Sequence, residues 1–305
     1  MRPRPGAPLP SRDHAADARE NLQGILCMLS SVMLGVVVDS VVKQLAFAYP
    51  IMMIVWARYT FHMAIMAGVL GRRFPATLKS RRPGLQAIRS LSQTVAVVTF
   101  VAALGLLPLA QCIAIQFLSP ILITALSVPI LGERVGLRRW AGVVAVFIGV
   151  LIVIRPGVGG LSWAALFPLA ASFGSAVYQL TTRLVSHDDA PMTSLAFAGL
   201  AGTVVANFFV PFAWTTPDAW GWALMGALGA LGAISHYIQI RAYGFAPAAV
   251  IAPYIYTSLV WAVAFGFILF GEIPDRWTIA GALVITASGL YIFHRERIAA
   301  RAQEG

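Results

Sequence analysis

Residues 131–156, LGERVGLRRWAGVVAVFIGVLIVIRP, recur in a second version at residues 270–295, FGEIPDRWTIAGALVITASGLYIFHR. Each copy sets Gly-Glu in a short polar turn, follows it with a Trp and an Ala-Gly pair, and runs on into an apolar helix. Over residues 131–142 and 270–281 the copies are identical at four of twelve positions: Gly132/Gly271, Glu133/Glu272, Ala141/Ala280 and Gly142/Gly281. Gly149 and Gly289 match after one inserted residue. The identity is modest and its weight comes from position, because one copy closes each half of the chain. A fold that accommodates it needs two halves of like architecture.

Those halves belong in a membrane. Of the 305 residues 59% are hydrophobic and 11% charged, so most of the length faces lipid or other apolar helices. A spanning helix takes about 20 apolar residues, which leaves room for roughly ten. The apolar runs place them at residues 22–46, 51–70, 85–106, 109–131 and 140–154 in the first half, and 163–184, 192–214, 220–242, 248–270 and 277–298 in the second. The expected fold is all-α, with ten transmembrane helices in two five-helix repeats, residues 22–157 and 158–298, joined through the Gly-rich RPGVGGLS at 155–162. Residues 1–21, rich in Pro, Arg, Ala and Asp, read as a disordered tail with no removable signal peptide behind it, and residues 299–305 as a second short tail. Cys27 and Cys112 sit in separate apolar runs and read as packing residues.

Charge fixes an orientation. With the N-terminal tail in the cytoplasm, eighteen Lys and Arg fall on the cytoplasmic side, three (Lys43, Arg155, Arg276) on the other, and Arg58 within a helix. That asymmetry predicts two cytoplasmic termini in a bacterial-type inner membrane. The net charge of +10 therefore reports topology and gives no support to nucleic-acid binding. Five spans per half is an odd number, so the two Gly-Glu turns face opposite sides and the repeats are inverted. Inverted repeats are a device of alternating-access transporters.

Polar groups inside the spans carry the chemistry, because a central charge is costly there. Asp39 and Lys43 lie four residues apart on one helical face, either as an internal ion pair or as a proton site beside an anion site. Arg58 and His62 repeat that spacing, and Arg58 needs a partner, Asp39 or a carbonyl. Gln93, Gln116, Tyr178, His236, Gln239, Tyr254 and Trp261, among other uncharged polar and aromatic groups, suit the lining of a wet cavity, although each alone could be an interhelical contact. Pro120 and Pro253 each remove a backbone hydrogen bond within a span and are the expected hinges.

Residues 120–156 and 250–293 resemble the two EamA-type repeats of the drug/metabolite transporter superfamily, and the resemblance covers nearly all of residues 22–298. It implies a central cavity lined by helices one, three, four, six, eight and nine, with Gln93, Gln116, Tyr178, His236, Gln239 and Tyr254 facing the solute. Glu133 and Glu272 would cap turns. RSLSQT at 89–94, APYIYTSLVWA at 252–262 and FGEIP at 270–274 are similar to the branch of bacterial riboflavin and S-adenosylmethionine transporters, with exporters of amino acids and opine-type metallophores nearby. Where that family commonly has a proline thirteen residues before the second Gly-Glu glutamate, this chain has Leu259.

The expected function is secondary transport of a small polar organic metabolite, without cofactor or metal, with protons as a candidate coupling partner through Asp39, as a monomer or a homodimer. An integral-membrane enzyme acting on a lipid is the alternative. It would need clustered acid, His or metal-ligand groups at a membrane face, and the nearest thing, Asp188-Asp189, reads as a solvated turn. No GxxxxGK[ST] phosphate loop occurs that would drive transport by ATP.

Overall fold

The structure, a computed structural model, describes residues 14–132, 136–155, 163–186 and 188–304. Its helices are α1 (His14–Ala46), α2 (Ile51–Leu70), α3 (Pro83–Leu106), α4 (Leu109–Gln116), α5 (Leu118–Leu131), α6 (Leu137–Ile154), α7 (Leu166–Val185), α8 (Pro191–Phe209), α9 (Ala219–Phe245), α10 (Ala248–Ile251), α11 (Thr257–Phe270) and α12 (Arg276–Glu304). Short 3-10 segments lie at Gly71–Leu78, Trp163–Ala165, Val210–Ala213 and Ala252–Tyr256. Helix α1 begins at His14, eight residues before the expected start at 22.

Among the described residues seven helical stretches are long and apolar enough to cross a membrane: Arg19–Ala46, Ile51–Leu78, Pro83–Leu106, Leu109–Leu131, Met192–Ala213, Ala219–Phe245 and Ala252–Phe270. An eighth, Trp140–Ile154, is apolar but shorter. Two of the ten expected spans fall outside that set. Helix α7 carries Tyr178, Gln179, Thr181, Thr182 and Arg183 in its second half, and α12 runs on into the charged sequence HRERIAARAQE, so neither reads as a uniformly apolar rod.

The chain order pairs α1 with α7, α2 with α8, α3 with α9, α4 with α10, α5 with α11 and α6 with α12. The packing maps onto itself under that exchange. Helix α1 packs on α9 as α7 packs on α3, α2 on α9 as α8 on α3, and α5 on α7 as α11 on α1. Helices α2 and α8 pack on each other, as do α6 and α12. Small residues permit the closest approaches. A Cβ on Gly281 would meet the Gly149 carbonyl at 2.6 Å, and one on Gly174 would meet the Ser92 carbonyl at 2.9 Å. On α1 and α9 the hydroxyls of Ser31 and Ser235 each donate to the other residue's carbonyl, at 2.9 and 3.0 Å.

The fourth and ninth spans are both broken. Helix α4 stops at Gln116, Phe117 forms a single turn residue, and α5 restarts at Leu118. Pro120 therefore falls in the first turn of α5, where a missing N–H costs no helical bond. In the ninth span Pro253 lies in the 3-10 segment between α10 and α11. Both spans end on a glycine in the left-handed conformation, Gly132 at φ 68° and Gly271 at φ 66°. Only glycine takes that conformation without steric cost. Glu133 lies outside the described residues. Glu272 follows its glycine directly and donates its own N–H to the Gly266 carbonyl at 3.0 Å.

Candidate substrate cavity

Two adjoining cavities occupy the middle of the bundle, and Arg58, Gln93 and Val97 line both. The first, about 660 Å³ counting its solvent-open part, runs among α2, α3, α7, α8 and α9 past Tyr59, His62, Tyr178 and His236. The second, about 550 Å³ on the same measure, continues toward α1 and the break in the fourth span past Asp39, Phe100, Gln116 and Ser175. Both halves contribute walls. Gln116 is held at the rim by α7: its amide donates to the Ser175 hydroxyl at 3.0 Å and its carbonyl accepts from Ser172 at 3.3 Å.

The structure brings together Asp39, Arg58, His62, Gln93, Gln116, Tyr178 and His236 on these walls. Gln239, Tyr254 and Trp261 are on neither. Lys43 is elsewhere too, although it lies one helical turn from Asp39. Its ammonium, 4% exposed, pairs with the Glu272 carboxylate at 2.8 Å and donates to the carbonyls of Leu107 at 2.7 Å and Leu104 at 3.1 Å. Three donors meet three acceptors, so this buried charge is fully satisfied. The other Glu272 oxygen accepts the Leu109 N–H at 2.8 Å, at the start of α4. One ion pair thus ties α1, the α3–α4 corner and the α11–α12 turn, drawing on both halves.

A second tie closes the opposite end of α3. Arg89, 2% exposed, donates from Nε to Thr182 at 2.7 Å, from one terminal nitrogen to the Ser194 carbonyl at 2.7 Å and from the other to the Tyr178 hydroxyl at 2.8 Å. Its guanidinium also lies over the Tyr178 ring, 4.5 Å from the centroid. One arginine of the first half therefore holds α7 and α8 of the second, together with the tyrosine that walls the cavity.

Around it a hydrogen-bonded cluster corrects the reading of Asp188-Asp189 as a solvated turn. Asp189 is 9% exposed and accepts from the Ser80 hydroxyl, the Arg81 N–H at 2.8 Å and the Gln86 amide at 2.9 Å. Partial desolvation pushes its carboxyl up. The bonds from Ser80, Arg81 and Gln86, with the Arg81 charge, outweigh that and hold it below the usual carboxylate range. Asp188 pairs with Arg82 at 2.8 Å. Two aspartates on one turn are anchored because the loop before α3 folds down onto the loop before α8.

Arg89, Gln86 and Ser175 are the residues the sequence reading passed over. Arg89 counted there as one more cation near a helix end. The usable signal was spacing: Gln86, Arg89 and Gln93 recur at i, i+3 and i+7 within a largely apolar run, which puts three polar groups on one face of α3.

Fold and cavity together define a multi-pass membrane protein built around an internal polar chamber. The chain belongs to the EamA-like transporter family of the drug/metabolite transporter superfamily, whose profile matches residues 22–155 and 162–293. It is 23% identical to the S-adenosylmethionine uptake transporter of Rickettsia prowazekii over 276 residues, 90% of this chain and 94% of that one. It is 29% identical to the riboflavin transporter of Rhizobium johnstonii over 281 residues, 89% and 90% of the two chains. With the pseudopaline exporter of Pseudomonas aeruginosa it shares 25% over 280 residues, 87% and 93%. A solved crystal structure 18% identical to this chain superposes with a TM-score of 0.60 over 91% of this chain and 98% of that one, a likeness of fold.

Proposed function

We propose that this chain is a secondary transporter that carries a small polar organic metabolite by alternating access, and that it acts on no substrate as an enzyme. Ten spans in two inverted halves sit in the inner membrane with both termini cytoplasmic, and the solute occupies the chamber lined by Arg58, Gln93, Gln116, Tyr178 and His236. The observation that carries this is the packing pattern that maps onto itself when the halves are exchanged, with the chamber between them. Two halves that can swap packing arrangements around one central site are what alternating access requires. The inter-half ties at Lys43–Glu272 and at Arg89 are placed to act as the two gates. Asp39, a carboxylate on the chamber wall, is the group through which a proton gradient would act.

The test is uptake and counterflow of riboflavin, S-adenosylmethionine and a mixed amino-acid panel in proteoliposomes, with and without an imposed pH gradient, comparing the intact chain with Asp39→Asn. Counterflow of at least one solute establishes carrier transport, and its absence for all of them sinks the proposal. Gradient-driven accumulation that Asp39→Asn loses beyond any fall in its counterflow assigns the coupling to Asp39.

A further inference from the structure

Among the described residues, the chain treats the charged groups inside its spans in two different ways. Lys43 and Arg89 are each neutralised or saturated by protein partners, with every ammonium proton of Lys43 and all three guanidinium nitrogens of Arg89 accounted for. Asp39 and Arg58 are not. Among the described residues neither has a side-chain hydrogen bond, and no nitrogen–oxygen approach within 4.0 Å joins the two. Both nevertheless line the same cavity, and they are the formally charged residues on its walls. A fold that saturates two buried cations has the means to pair an opposite-charged couple sharing one chamber. Here it leaves them apart, facing the space between.

We infer that Asp39 and Arg58 are the two poles of the recognition site, and that the chamber selects a zwitterionic solute. The cationic centre of the solute rests on Asp39 and its carboxylate on Arg58, with Gln93, Gln116 and Ser175 left for its neutral polar groups. The inference rests on the transport reading above and names the substrate class of that same site. Electrostatics supply the selection. A guanidinium meets a carboxylate through a fork of donors, and a carboxylate accepts readily from an ammonium group. A solute bearing one charge would satisfy one pole, leave the other unpaired and face it as a like charge in a poorly solvated space. An uncharged solute would leave both poles bare. A zwitterion supplies both partners and keeps the chamber neutral.

The full chain in proteoliposomes decides the matter by counterflow of five probes: S-adenosylmethionine, methionine, methionine stripped of its carboxylate, methionine stripped of its amino group, and riboflavin. The expected result is exchange of methionine, and of S-adenosylmethionine through the zwitterionic amino-acid end it carries beside its sulfonium charge, at about tenfold or more the rate of each stripped analogue, the discrimination one charge-assisted hydrogen bond provides. Arg58→Gln should bring methionine and its carboxylate-free amine to nearly equal rates, and Asp39→Asn should do the same for methionine and its amino-free acid. Arg58→Lys, which keeps the charge, should keep the preference. These are ratios within one preparation, so partial loss of folded protein scales both probes alike. Riboflavin exchanging as fast as the zwitterions, or ratios that no variant moves, overturns the assignment and leaves the transport reading standing. No exchange of any probe defeats the transport reading, and the assignment with it.

Discussion

Phe117 and Tyr256 stack on each other with ring centroids 4.9 Å apart and 15° between the ring planes, and they occupy equivalent positions in the two repeats. The offset that lays Gly132 on Gly271 (271 − 132 = 139) also lays Phe117 on Tyr256 (256 − 117 = 139) and Pro108 on Pro247. Each ring stands at the break of its own span. The two breaks therefore meet face to face at the centre of the pseudo-symmetry. An offset stack of this kind contributes about 0.5–1.5 kcal/mol beyond its buried area, so a double-mutant cycle of Phe117→Leu and Tyr256→Leu, read by melting in nanodiscs, should return a coupling of about that size. Additive losses would mean the rings merely fill space.

The Lys43–Glu272 tie predicts an asymmetry between single and double substitutions. Lys43→Met strands a carboxylate that still accepts from Leu109, and Glu272→Gln leaves an ammonium with two carbonyls and no counter-charge. Each should destabilise by about 3–5 kcal/mol, and the double variant should be more stable than the worse of the two singles. Melting of the three variants side by side tests this, and a double variant that sinks to the sum of both losses contradicts it.

At the opposite end of α3, Arg89→Lys should open the α7 and α8 contacts without unfolding the bundle. One ammonium cannot reach Thr182, Tyr178 and Ser194 in three directions, as the planar guanidinium does. Amide exchange along the last turn of α7 and the first turns of α8 should quicken by about tenfold or more for a lost charge-assisted bond, while the α6–α12 contact stays protected.

Asp189 gives the chain an acid limb. Its carboxyl is held below the ordinary value near 4, so the stability it lends is present above about pH 4 and drains away as the pH falls through the lowered value. Asp189→Asn should flatten the melting profile below about pH 4 relative to the intact chain. An unchanged slope would place the acid sensitivity elsewhere.

How far the sequence reaches depends on how local the cause is. Gly132 and Gly271 could be placed because a left-handed helix end is a demand of one residue, and the Gly-Glu repeat marks both. Gln93 and Gln116 could be placed because an amide in an apolar run has few roles. Lys43 could not. The nearest carboxylate along its helix is Asp39, and only the assembled bundle brings Glu272, more than two hundred residues on, within 2.8 Å. Tyr254 and Trp261 left the wall for another reason. Five residues of 3-10 winding at three residues per turn advance the helix by about 100° more than α-helical winding, so a face read at 3.6 residues per turn is lost across Ala252–Tyr256. Leu259 stands at the repeat position of Pro120, in the first turn of α11 as Pro120 is in that of α5, and Pro253 lies within the 3-10 segment six residues before it.

Helix α3 joins all of these parts. Arg89 grips near its start, Gln93 and Val97 face the chamber, and the carbonyls of Leu104 and Leu107 hold Lys43 at its close, so the grips at Arg89 and Leu104 stand about 22 Å apart along the helix. A stiff rod pinned at both ends cannot tilt while both pins hold. In the proposed alternating access, release at either end would turn the other into a fulcrum, and the residues in between would swing with it, a lever rather than a local rearrangement.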